Sequence, residues 1–141
     1  MPAAPARALH PLHAILLAFP VALFTAALVA DIAYLNTAEM QWSNLAAWAI
    51  TGALLLGAPA VAWAAVTWLR RRRSPGRATA LYLGLLAGAW IGGLVNAFKH
   101  SQDAWSSVGA LGLILSLLST GLALAAAWIA HSAAAAAEYR A

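Results

Sequence analysis

At 141 residues, the chain is 64% hydrophobic and 9% charged, with a mean hydropathy of +0.79, too little polar surface to coat a water-soluble globule of this size. A net charge of +4 and a pI near 10.4 suit nucleic acid in principle, but seven of the eight basic residues fall on one side of the crossings described below. Membrane orientation produces that asymmetry, so no nucleic-acid partner is expected. The absence of cysteine removes structural disulfides, thiolate catalysis and iron–sulfur ligation together.

Residues Met1 to Leu9 form an Ala/Pro-rich lead with one arginine. Pro11 suits the first position of a helix and biases His10 away from it, so the first crossing is predicted over about 11–35, with His13 in its first turn. From Leu12 to Ala30 there is no charge, and Asp31 is read as closing the run at the far surface. Pro20 and the length of the apolar run argue against a cleaved signal peptide.

Asn36 to Ser43 reads as a polar loop, followed by a second crossing over about 45–69 in which Gly57 and Pro59 predict a kink or a tilt. Then comes Arg70-Arg71-Arg72-Arg73-Ser74-Pro75-Gly76-Arg77, five arginines in eight residues. Charge of that density is excluded from hydrocarbon. It places this loop, and with it both chain termini, at the cytoplasmic surface of the membrane.

The third crossing, about 78–98, carries Gly84, Gly88 and Gly92 at steps of four, and the fourth, about 105–131, carries Gly112, Ser116 and Thr120 at the same spacing. Small residues in that register let backbones approach, so the two helices are expected to pack on one another, or one of them on its copy in a dimer. Trp90, mid-way along the third crossing, needs a partner for its indole N–H, with Ser116 or Ser119 as candidates. The fold class is therefore an all-α membrane protein: one domain over 1–141, four transmembrane helices, an up-down-up-down bundle.

His10-Pro11-Leu12-His13, Phe19-Pro20, Phe24 and Asp31, with a basic loop after the second helix, resemble a bacterial family of small four-helix membrane proteins, the domain of unknown function 2231. The resemblance implies a fold and a location, a bacterial inner membrane crossed several times; it implies no activity, substrate or cofactor.

Function is argued from the histidines. His10, His13 and His131 share the arginine end, where imidazoles on facing helices can hold a haem iron or another metal. Haem b between His13 and His131, serving electron transfer, is the leading specific assignment; another metal or a quinone headgroup is the variant, and interfacial histidines facing headgroups are the plainer account. At the opposite end Asp31, Asn44, Asn96, His100 and Asp103 form a second polar group, read as a proton or cation site on Asp31, His100 and Asp103, or as ordinary capping and hydration. The rival to cofactor binding is an accessory subunit of a larger membrane assembly. Its partners would be lipid and other membrane subunits, or a second copy. No nucleophile–base pair or metal-protease spacing occurs, so hydrolytic chemistry has no residues to rest on.

Overall fold

The computed structural model describes residues 9–71, 73, 76–102 and 108–138. Four helices account for nearly all of them: α1 (Pro11–Thr37), α2 (Met40–Arg70), α3 (Arg77–His100) and α4 (Ala110–Glu138). Each contains an apolar span of at least 23 residues. At about 1.5 Å per residue that crosses the ~30 Å hydrocarbon layer. Helices α1 and α3 each pack against both α2 and α4, a four-membered ring of neighbours. Leu9, Arg70, Ala78 and Ala130 meet at one end, called the arginine end below.

The composition is inverted relative to a soluble bundle. Trp48, Leu55, Phe98 and Trp128 are each two-thirds or more exposed, whereas Ala27, Ala46, Ala53, Ala60, Ala89, Ala123 and Ala126 fill the interior. Lipid tails cover apolar side chains as well as protein does, so nothing drives large residues inward. Small ones there let the helices close on each other. The chain is a four-helix membrane bundle.

Local sequence sets the ends. Pro11 occupies the first position of α1, and the His10 side chain caps the helix by accepting the Leu12 N–H at 3.3 Å. The connection to α2 is much tighter than the polar loop expected over 36–43. Helix α1 runs to Thr37, Ala38 turns left-handed at φ 56° with its N–H on Tyr34 O, and α2 is under way by Met40. Hydropathy marks where lipid ends, and these helices continue past it. Helix α4 begins at Ala110 rather than near 105. Asp103 and Trp105 lie outside the described residues, as do the lead before Leu9 and Tyr139-Arg140.

The kink elements of α1 and α2 meet. A methyl group on Gly57 would stand 3.3 Å from the Pro20 ring, so glycine admits the proline of the neighbouring helix. Pro59 leaves the Leu55 carbonyl without its helical donor. One residue earlier, the Leu54 carbonyl accepts the Trp90 indole N–H at 3.0 Å. Trp90 thus bonds to the disturbed turn of α2, on a different neighbour from the α4 serines, Ser116 and Ser119, expected as its partners.

Candidate functional site

Polar side chains are buried at two places. At the end away from the arginines, Asp31 is read from sequence as a surface residue, yet it is fully buried, six residues or about 9 Å inside the end of α1. His100, the last residue of α3, directs Nε2 to Asp31 Oδ1 at 2.8 Å and Nδ1 to the Asn96 carbonyl at 3.0 Å. Ser116 Oγ donates to Asp31 Oδ2 at 2.5 Å and accepts from Asn96 Nδ2 at 2.7 Å. The four residues close a ring across α1, α3 and α4.

The protons in this ring follow from the acceptors. A backbone carbonyl only accepts, so Nδ1 of His100 carries hydrogen. One further proton lies between Nε2 and Oδ1, and either placement leaves the pair with no net charge. That neutrality is what permits an aspartate within an apolar bundle, where a lone carboxylate is prohibitive. Of the proton or cation site expected on Asp31, His100 and Asp103, this ring holds Asp31 and His100. Each ring nitrogen of His100 and each Asp31 oxygen has a partner in the ring, and Asp103 is outside the described residues. Asn44 is exposed and takes no part; the neighbouring Ser43 is the buried one.

The glycine and hydroxyl register of α3 and α4 is only partly the contact surface expected. The two helices do pack together, with Gly112, Ser116, Ser119 and Thr120 buried. Gly92 lies so close to Ser119 that a methyl group on it would stand 3.0 Å from Oγ, and Gly88 is in ordinary contact with Leu122. Gly84 meets nothing within 4 Å. The tightest approach belongs to Gly93, against Phe24 of α1. Thr120 is more than a packing residue, since its hydroxyl donates to the Phe24 carbonyl at 2.9 Å.

The second polar place is the arginine end, where an open cavity of about 680 Å³ is lined by residues of all four helices and by Leu9. His13 lines it and is 4% exposed. Its Nε2 is hydrogen-bonded to the Tyr82 hydroxyl at 2.7 Å, and its Nδ1 has no partner among the described residues. His10 and His13 both pack on the Trp63 ring, with centroids 5.2 and 5.4 Å away, and Tyr82 meets His13 edge-on. A 3-residue spacing at a helix start brings both imidazoles to one side, and Trp63 fixes them there.

His10 and His13 are therefore brought together, as their sequence spacing implies. His131 is exposed, and the cavity lining on α4 consists of Ile129 and Ala130. The facing pair His13 and His131 accordingly does not frame the cavity. Among the described residues no three His, Cys, Asp or Glu side chains converge to hold a metal ion. Sequence reasoning missed Tyr82 and Trp63. Tyr82 is the one tyrosine inside an apolar crossing near the arginine block, and that is the signal by which it could be found.

A family model described as "Predicted membrane protein (DUF2231)" matches residues 9–139. No curated protein and no solved structure matches the chain.

Proposed function

The chain belongs to the DUF2231 family of predicted membrane proteins, and from that premise we propose that it is a membrane subunit whose working part is the cavity at the arginine end, a binding site for a small ligand or cofactor. The observation that carries this reading is His13, a buried ring lining a cavity of about 680 Å³ with Nδ1 unpartnered among the described residues. A buried polar atom left unmatched costs ~1–3 kcal/mol, and a ligand that turned the His13 ring toward the cavity would recover that. The excess of Lys and Arg at this end supports placing it on the cytoplasmic face of a bacterial inner membrane.

Haem b with a role in electron transfer is one form of this reading. It would take His13 Nε2 from Tyr82 and find its second axial ligand elsewhere than His131. The bond already made to Tyr82 favours an organic ligand over iron.

Purified protein from iron-replete cells tests both forms. The expected result is a stoichiometric organic molecule by extraction and mass spectrometry, with no Soret band. A Soret band abolished by His13→Ala would establish the haem form instead. A preparation that carries nothing and binds nothing would reduce the chain to a cofactor-free accessory subunit.

A further inference from the structure

The mouth of the cavity is built for negative charge. Arg70 ends α2 and Arg71 follows it; both line the cavity, and both are exposed. Among the described residues no carboxylate pairs with either; Asp31 pairs with His100 at the opposite end. Across the mouth α3 begins at Arg77 behind Gly76, with no side-chain cap and no acidic residue in its first turn. The Thr79 and Ala80 N–H groups close back on the Gly76 carbonyl, and those before them have no helical partner. Ala78 and Thr79 of that turn line the cavity. Two guanidinium groups and the positive end of a helix therefore converge on one opening.

Below the mouth the character changes. Leu9, Ala64, Ile129 and Ala130 form apolar wall, with His10, the buried His13, Thr67 and Tyr82 as its polar points.

Resting on the reading of this cavity as a ligand site, we infer that its ligand carries a phosphate-type anion, held between Arg70, Arg71 and the first turn of α3. An apolar body would lie along Leu9, Ala64, Ile129 and Ala130. Such an anion has two sources, an anionic membrane lipid or a free phosphate compound.

This differs from diffuse attraction of lipid headgroups to the basic loop, and charge-matched variants separate the two. Arg73 and Arg77 carry the same charge as Arg70 and Arg71 but are not among the lining residues.

The full chain in a neutral detergent is titrated with dodecyl phosphate, with dodecyl phosphocholine and with inorganic phosphate, by calorimetry and native mass spectrometry. Expected is saturable one-to-one binding of dodecyl phosphate. It should weaken about tenfold in the Arg70→Gln/Arg71→Gln variant and stay within about twofold in Arg73→Gln/Arg77→Gln. Binding by wild type should also weaken as salt rises from ~0.05 to ~0.5 M, a readout that needs no variant. Dodecyl phosphate far tighter than inorganic phosphate assigns the lipid source; equal affinities assign a free phosphate.

Equal losses in the two arginine variants, or dodecyl phosphocholine matching dodecyl phosphate, would overturn the anion assignment and leave the cavity standing. Ala78→Trp narrows the mouth at an exposed position. If that variant binds dodecyl phosphate as wild type does, the cavity is not the site and the underlying reading falls with it.

Discussion

The ring of Phe24 lies so close to the backbone of Gly93 that a methyl group there would stand 2.5 Å from Cε1 and Cζ. Phe24 is 2% exposed and belongs to the larger of the two core clusters, so it has little room to retreat. Gly93→Ala should destabilise the bundle by about 1–3 kcal/mol, the cost of overpacking. Gly84→Ala, with nothing within 4 Å, should leave stability unchanged or slightly raised. Unfolding in mixed detergent micelles compares them, and Phe24→Leu added to Gly93→Ala should restore part of the loss.

Trp90→Phe keeps an aromatic ring and removes the donor to the Leu54 carbonyl, which lies next to the carbonyl that Pro59 deprives of its partner. The expected cost is about 0.5–1.5 kcal/mol, the net worth of one hydrogen bond, because the Leu54 carbonyl keeps the Ala58 N–H as its helical donor. The same unfolding assay reads it. Hydrogen exchange around residues 54–58 should quicken in the variant, which a loss of ring packing alone would not localise there.

How far the sequence could be read depends on what each feature needs. The arginine block and the four apolar runs are one-dimensional signals, so the crossings and the helix start at Pro11 are legible from the order of residues. Contacts between helices also depend on rotation about each axis, which spacing alone leaves open. Gly84, Gly88 and Gly92 form a perfect register, and yet the tightest approach is made by Gly93, one residue outside it. Asp31 reads as a surface residue because charge ends a hydropathy window. Its burial depends on His100 and Ser116, 69 and 85 residues away. His13 and Tyr82 are likewise 69 residues apart.

The turn between α1 and α2 holds Ala38 at φ 56°, ψ 16°, with its N–H donated to the Tyr34 carbonyl at 2.7 Å. An L side chain in this left-handed region costs roughly 1 kcal/mol relative to glycine, which adopts it without a Cβ clash. Ala38→Gly should therefore raise stability by up to about 1 kcal/mol, seen as a higher thermal midpoint in detergent. Ala38→Val should lower it, because a branched Cβ crowds the same conformation. A drop for both would mean that the turn is not left-handed.

Asp31 and His100 make the sharpest energetic test, because their burial rests on each neutralising the other. Removing one partner leaves the other without its proton relation or its charge match in an apolar interior. Asp31→Leu or His100→Leu alone should each cost about 3–5 kcal/mol. In the double variant no charge remains to be compensated, and the loss should be well below the sum of the single losses. It will not vanish, because Ser116 Oγ and the Asn96 carbonyl both lose a partner in this ring. Ser116→Ala in the wild-type background should cost less than either single change, since it leaves the pair intact. A double-mutant cycle by unfolding in mixed micelles gives the coupling directly. Strictly additive losses would show that the two side chains are stabilised independently, and the neutral-pair account of a buried aspartate would then be wrong.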